Sequence, residues 1–317
     1  MISVLGAGAF GTALAVVWAR AGREVTLWSR DPGAVAEMRR THRAPRLPDA
    51  ALPDSLLITD DLGAASQAGT LVLAVPMQAL SGLLPNLRLR PGQRLVAACK
   101  GIDLGSNLGP TALIARAHPD AVPAILTGPS FAADIARDLP TALTLACRDE
   151  AAAEHLQKAL STPTLRLYRS PDPIGAELGG ALKNVVAIAC GAAIGAGLGD
   201  SARAALMTRG FAEMRRLAAH LGADPETLAG LSGLGDLALT CGSDLSRNFR
   251  HGQSLGSGGA GESGTVEGVA TARAVTALAG EAGIELPIAV AVDAICSGKT
   301  SVSDAITALL ARPLKEE

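Results

Sequence analysis

Short apolar runs alternate with longer helical stretches through the first half of the chain. Met1-Ile2-Ser3-Val4-Leu5 is the first run, and residues 24–28, 71–75, 95–99, 123–127, 141–146 and 164–168 repeat the pattern. Several are apolar at consecutive rather than alternate positions, as expected of strands covered on both faces in a parallel sheet. Between them, residues 12–21 (with Gly22 as the stop), 34–40 and 150–160 read as helices. That alternation predicts an α/β, doubly wound sheet with helices on both faces. Near residue 170 the pattern changes: Ser170-Pro171-Asp172-Pro173 is turn-rich and clear β-type runs end there. Residues 175–193, 202–221, 271–282 and 288–297 are helical in pattern instead. The expectation is an N-terminal sheet domain, 1–170, and an all-helical C-terminal domain, 171–317. Residues 256–261, mostly glycine, read as a flexible surface loop without chemistry.

The first strand runs straight into Gly6-Ala7-Gly8-Ala9-Phe10-Gly11 and then a helix. This is the order of a Rossmann-type dinucleotide loop. Gly6 permits the tight turn, Gly8 lets a pyrophosphate approach the backbone, and Gly11 lets helix and strand pack closely. The helix N-terminus then offers N–H groups to the phosphates. An acidic residue about 20 positions on marks NAD, whereas an Arg accommodates a 2′-phosphate. The second strand ends Trp28-Ser29-Arg30-Asp31. Arg30 favours NADP(H), and Asp31 keeps NAD(H) open if the register slips.

The 317 residues, 48% hydrophobic, suffice for two domains, and 28 Lys plus Arg against 30 Asp plus Glu leave a formal charge of -2. That balance supplies neither a basic field for nucleic acid nor a polybasic membrane patch. Aromatic residues are 2% of the chain, too few for the stacking platforms of single-strand binders. Five dispersed cysteines without a Cys-x-x-Cys pair read as reduced thiols of a cytoplasmic protein. The five histidines are equally scattered, so no metal site is expected. Residues 2–19 and 184–199 carry no charge. Their glycines, and the lack of a basic leader before the first, mark them as buried elements rather than a signal peptide or membrane span.

Cofactor binding does not name a reaction. Lys183 is the only cation between residues 176 and 199. A lone ammonium on a buried helix is costly without partners, and desolvation lowers its pKa toward the range useful for proton transfer. The alternative is a Lys whose stem packs while its head reaches water. Lys100, following the run 95–99, falls at the C-terminal sheet edge where such folds bind ligands. Gly128-Pro129-Ser130-Phe131-Ala132 follows another strand, with N–H groups and a hydroxyl suited to an anion. Ser232-Gly233-Leu234-Gly235-Asp236-Leu237 precedes Ser246-Arg247-Asn248, a donor cluster suited to phosphate. Together with the nucleotide loop these describe a site for a small phosphorylated substrate.

Taken in order, Gly6 to Gly11, Lys100-Gly101, Gly128 to Ala132, Leu182-Lys183-Asn184-Val185, Gly233 to Leu237, Ser246-Arg247-Asn248 and Val266-Glu267-Gly268 resemble bacterial NAD(P)-dependent glycerol-3-phosphate dehydrogenase. The resemblance runs through essentially the whole chain. It implies interconversion of dihydroxyacetone phosphate and sn-glycerol 3-phosphate, supplying phospholipid synthesis. It also implies Lys183 as the acid–base residue and Lys100 in contact with both substrate and cofactor. Gly128, Ser130, Asp236, Ser246, Arg247 and Asn248 would line the substrate site. Phe10, Arg30, Ala132, Arg247 and Glu267 would approach the cofactor. Asp236 would orient Lys183 or bind a substrate hydroxyl. The family and the apolar helical half both point to a homodimer. Ala9 stands where many members have Ser, Met77 replaces a more usual Ser on the nicotinamide side, and Thr265 replaces a common Val.

Two other readings use the same features. One is a related reductase for a 3-hydroxyacid, 2-keto acid or phosphogluconate-type substrate, since fold alone does not choose among them. The other is a non-catalytic NADP(H) sensor, which would have no use for Lys183 or the donor cluster.

Overall fold

The computed structural model describes residues 1–262 and 264–313. Ten strands come first: β1 (Ile2–Leu5), β2 (Val25–Trp28), β3 (Arg43–Ala44), β4 (Leu47–Ala51), β5 (Leu57–Thr59), β6 (Thr70–Leu73), β7 (Arg94–Ala97), β8 (Val122–Thr127), β9 (Thr141–Ala146) and β10 (Leu165–Ser170). Eight of them form one sheet in the order β10-β9-β8-β7-β6-β1-β2-β5, and β3 pairs with β4 as a separate hairpin. The expected doubly wound α/β architecture is present, and each consecutive apolar run is a buried strand of the sheet. The chain order reverses about β1, which lies between β2 and β6. Such a switch point opens a crevice beyond the strand C-termini, directly at Gly6.

β8 pairs with β9 antiparallel, while β9 and β10 run parallel to each other. The link between β8 and β9 contains only the five-residue helix Ala132–Ala136. At about 1.5 Å per residue it cannot return the chain along a strand of six residues, so the polypeptide turns back on itself. β3, β4 and β5 carry too little pattern to be read from sequence. β4 contains Pro48 and Asp49 and buries only Leu47 and Ala50.

Tight packing sets the position of the nucleotide loop. Trp18, fully buried on helix Ala9–Arg20, donates its indole N–H to the Leu160 carbonyl at 2.7 Å. That bond satisfies one of the carbonyls left over at the end of helix Glu150–Leu160.

From Pro173 the chain is helical, and most of its helices pack around the 23-residue helix Pro173–Gly195. It is long and apolar enough to cross a membrane, but 89% of its most apolar window is buried against the rest of the molecule. Asp172 caps it, accepting from the Gly175 N–H at 2.9 Å. Helix Arg247–Gly256 crosses it at backbone contact. A Cβ at Gly191 would run into the Phe249 carbonyl, and one at Gly252 into that of Ile188. Gly195 and Gly256 are matched in the same way against Gln253 and Ala192. Helices Pro225–Ala229, Asp236–Thr240, Arg247–Gly256 and Val302–Leu310 lie outside the helices expected from sequence. Short or polar segments such as these take their helical form from packing rather than pattern.

The expected surface loop at 256–261 is present, with residues 257–260 exposed, but it starts one residue later and is hydrogen-bonded in place. Gly256 ends the helix, packed on the Ala192 carbonyl. The chain then folds back: Gly259 N–H donates to the Ser254 carbonyl at 2.7 Å, Gly261 N–H to Ser254 Oγ at 3.1 Å, and Glu262 N–H to His251 Nδ1 at 2.9 Å. Glycine-rich composition here serves close approach and positive φ rather than freedom, since a Cβ at Gly261 would strike the His251 ring.

Candidate active site

The nucleotide loop has the shape its sequence requires. Gly6 adopts φ +124°, and a Cβ there would lie 2.6 Å from the Ala74 carbonyl oxygen of the neighbouring strand's end. A Cβ at Gly11 would run into the Gly6 carbonyl, whereas nothing lies within 4 Å of one at Gly8. Gly8 is thus the open approach and the other two are packing requirements. The first helical bond runs from Thr12 N–H to the Gly8 carbonyl at 2.9 Å. The N–H groups of Ala9, Phe10 and Gly11 therefore stand outside the helical ladder, facing the crevice at the positive end of a 12-residue helix. Phe10 is partly buried against the sheet's core. These residues fit the diphosphate of a dinucleotide.

At the end of β2, Arg30 is exposed beside the crevice. Asp31 caps helix Pro32–Thr41, its carboxylate accepting from Gly33 N–H at 2.9 Å and Ala34 N–H at 3.2 Å. Both cap bonds are accepted by the same oxygen, Oδ1, of this exposed residue.

The centre of the site is one buried carboxylate between two ammonium groups. Asp236 is fully buried and accepts from Lys183 Nζ at 2.5 Å through one oxygen and from Lys100 Nζ at 2.6 Å through the other. Lys183 Nζ also donates to Thr240 Oγ1 at 2.7 Å, and that hydroxyl donates to the Asp236 carbonyl at 2.6 Å. Lys100 Nζ reaches the Gly128 carbonyl at 3.4 Å. Burial pulls Lys183 down from 10.5 to about 8; Asp236 resists that shift and Lys100 reinforces it. Two ammonium groups on one carboxylate leave a buried excess of positive charge, suited to an anionic ligand or a developing alkoxide.

Each member comes from a different element. Lys183 lies midway along the central helix, and Lys100 follows β7 by three residues. Asp236 begins helix Asp236–Thr240 after a π-helical turn, Leu231–Gly235. Glycines allow that turn to lie on the central helix: a Cβ at Gly179 would strike the Ser232 carbonyl, and one at Gly233 the Leu228 carbonyl. Gly128 has φ +140° and packs against Leu143, and Ser130 Oγ donates to the Gly128 carbonyl at 3.2 Å. Pro129 touches the π turn near Gly235, closing the group around Asp236.

The expected donor cluster is split by task. Ser246 is buried and caps helix Arg247–Gly256, its oxygen accepting from Phe249 N–H at 3.2 Å. Asn248 donates to Asn184 Oδ1 at 2.9 Å and accepts from Gly268 N–H at 3.0 Å, tying that helix to Lys183's neighbour and to the residue after Glu267. Arg247 is exposed. Burial raises the Glu267 carboxyl, and the charges of Arg247, Lys100 and Lys183 oppose that rise. Glu267 therefore sits among the site's cations. Ala132 opens the short helix packed on helix Ala9–Arg20, beside the nucleotide loop.

Two residues at the centre were not singled out from sequence. Thr240 carries a signal only in retrospect, four positions after Asp236 and hence on the same helical face. Asn184 was visible only as Lys183's neighbour. Among the described residues, no cluster of three His, Cys, Asp or Glu side chains forms a metal site. All five cysteines are free thiols.

Residues 1–153 match the model described as NAD-dependent glycerol-3-phosphate dehydrogenase N-terminus, and residues 172–307 match the corresponding C-terminus. The chain belongs to this dehydrogenase family. A glycerol-3-phosphate dehydrogenase [NAD(P)+] of Cereibacter sphaeroides is 63% identical over 319 residues, covering 100% of both chains. The crystal structure of glycerol-3-phosphate dehydrogenase from Coxiella burnetii superposes with a TM-score of 0.93 at 37% identity, covering 98% of each chain. A PanE/ApbA family ketopantoate reductase from Ralstonia eutropha aligns over 96% of this chain and 99% of its own at TM-score 0.62 and 15% identity. That likeness is one of fold alone, so the rival 2-keto acid reading loses its footing beside the full-length family match.

Proposed function

We propose that this protein is an NAD(P)H-dependent dehydrogenase that reduces dihydroxyacetone phosphate to sn-glycerol 3-phosphate, reversibly, and so supplies phospholipid synthesis. The observation that carries this reading is the Lys183–Asp236–Lys100 bridge, with Lys100 at the C-terminal edge of the sheet that also carries the nucleotide loop. The bound reduced nicotinamide supplies the hydride. Lys183, protonated below about pH 8, donates a proton to the substrate oxygen as charge develops there. Asp236 holds that ammonium in place, and after proton transfer Lys100 remains as its counter-ion. Thr240 fixes the direction of Lys183 Nζ. Lys100, Gly128, Ser130, Ser246, Arg247 and Asn248 bind the polar and phosphate ends of the substrate. Gly6, Gly8, Phe10, Gly11, Ala132 and Glu267 bind the cofactor together with Lys100 and Arg247. Arg30 reads a 2′-phosphate, giving NADP(H) preference over NAD(H); its exposed position at the end of β2 supports this.

The division into a cofactor domain, 1–170, and a substrate domain, 171–317, follows the same reading: the last strand ends at Ser170 and the central helix starts at Pro173. A cytoplasmic homodimer fits the free thiols and the family. The test is direct. Purified protein with NADPH and dihydroxyacetone phosphate should lose reduced-nicotinamide absorbance, while 2-keto acids and 3-hydroxyacid precursors should not support that loss. Selective oxidation by one of those other carbonyl compounds would replace the assignment.

A further inference from the structure

Lys100 is held at its tip by Asp236, but its backbone belongs to a segment that must also be fixed. Residues 100–110 leave the sheet after β7, and their course is set by contacts with both halves of the molecule. Gln78 clamps the segment from one side, donating to the Ile102 carbonyl at 2.8 Å and accepting from Leu104 N–H at 3.1 Å. Ile102 is buried in the core of the helical half. Within the segment, Asp103 accepts from the backbone and hydroxyl of Ser106 at 2.9 and 2.7 Å.

The far end of the segment opens helix Pro110–Ala117. Its N-cap, Gly109, has no side chain to cap with. The missing acceptor arrives from the central helix: Thr111 N–H donates to Glu177 Oε1 at 2.6 Å. Glu177 is 92% buried by area, and a Cβ on Gly109 would run into its carboxylate. A carboxylate at a helix N-terminus meets both the free N–H and the helix dipole. Burial lifts the Glu177 carboxyl to about 7; the hydrogen bonds from Thr111 chiefly oppose the rise, Arg148 does so to a lesser extent, and Asp172 reinforces it. Acid and carboxylate forms each keep an oxygen able to accept the Thr111 N–H. Capping alone would not require a residue from another domain. Glu177 stands six residues before Lys183 on one rigid helix, and so references the Lys100 segment to the helix that carries Lys183.

We propose that Glu177 is a positioning residue for Lys100, and that the Gly109–Glu177 contact fixes the separation of the two lysines that share Asp236. The inference rests on the reading of Lys100 as a substrate-binding group. Asp236 holds the ammonium, Gln78 clamps the start of the segment, and Glu177 holds its far end. Releasing the far end lets the segment shift by fractions of an ångström, enough to weaken substrate positioning while the nucleotide loop stays intact.

The full-length protein is tested as four variants: Glu177→Leu, Glu177→Gln, Gly109→Ala, and Gly109→Ala with Glu177→Leu. Glu177→Leu should raise KM for dihydroxyacetone phosphate by about tenfold, on the scale of a small misplacement in a site. Its kcat and its Kd for NADPH should stay within about threefold of the parent by the same argument. Glu177→Gln keeps the acceptor and should restore KM. Gly109→Ala should copy Glu177→Leu by displacing the carboxylate, and the double variant should be no worse than either single one. Backbone amide exchange over residues 101–111, measured without substrate, should rise in Glu177→Leu and not in Glu177→Gln. Additive effects, a Gln variant as impaired as Leu, or a fall in Tm with KM unmoved would overturn the proposal. Lack of turnover by the parent protein would sink the reaction assignment instead, and the exchange measurement would still decide the role of Glu177.

Discussion

Gly6, Gly8 and Gly11 make their half of the site from backbone, whereas Lys183 and Asp236 make theirs from buried charge. In the sheet half, two glycines are where they are because a Cβ has no room, and the third leaves the approach open. The free N–H groups behind them are supplied by any helix in that position. In the charge cluster the groups are specific side chains 2.5 to 2.7 Å from one another, Lys183, Asp236 and Thr240 from two elements of the helical half and Lys100 from just past the end of β7 in the sheet half. Backbone recognition tolerates sequence change and binds a common cofactor. A buried charge cluster is unforgiving, because removing one partner strands the others in a medium that solvates them poorly.

This contrast separates binding from chemistry, and it can be broken by experiment. The largest expected effect is in the helical half. Lys183→Ala should lower turnover by about 10²–10⁴-fold, the scale of one acid–base group. NADPH binding, followed by fluorescence, should be preserved; near-normal turnover would remove Lys183 from the mechanism.

Next comes the scaffold of that cluster. Gly191→Ala forces a methyl against the Phe249 carbonyl and should cost about 1–3 kcal/mol in denaturant unfolding, as overpacking does. It should also weaken substrate use through Asn248, which sits at the head of the displaced helix. Unchanged stability would mean that the helix pair is less tightly interlocked than its glycines require.

On the sheet side, Arg30→Asp should raise KM for NADPH by about tenfold, the loss of a charge-assisted contact to phosphate. KM for NADH should move much less and kcat at saturation should hold. Equal effects on both cofactors would show that Arg30 does not read the 2′-phosphate.

The pH profile sharpens the same division. On the proposed role Lys183 donates a proton in the reducing direction, and burial lowers its pKa from the ordinary 10.5 to about 8. Reduction should be flat below about pH 8 and fall about tenfold per unit above it, as the ammonium is lost. Oxidation of glycerol 3-phosphate needs the neutral amine and should rise with pH toward the same value. Asp236 holds the Lys183 pKa up, so Asp236→Asn should move both limbs to lower pH, apart from its loss of rate. Limbs that stay in place would assign them to another group.

Legibility in the sequence followed the same divide. The buried strands read directly, because residues covered on both faces must be continuously apolar. The hairpin strands and the edge strand β5 did not, since β4 buries only two of its five residues and β5 only Ile58, whereas the other edge, β10, carries alternating buried Leu165 and Leu167. The antiparallel reversal at β9 depended on the length of a five-residue helix rather than on any strand's composition. In the helical half, Arg247–Gly256 has a polar, glycine-bearing sequence, and its helicity comes from lying against Gly191 and Gly195.

The sequence by itself determined the doubly wound sheet, the nucleotide loop and the helical second half, and it singled out Lys183 and Lys100 as candidates. Each is written in local periodicity, in glycine spacing, or in the isolation of a cation among apolar neighbours. Only the tertiary structure decided that one carboxylate serves both lysines, that Thr240 completes the group and that Glu177 ties Lys100's segment to Lys183's helix. Those are contacts between residues as far as 136 positions apart. Hydrogen bonds require partners within about 3 Å, and no pattern along a chain specifies which distant groups folding will bring that close.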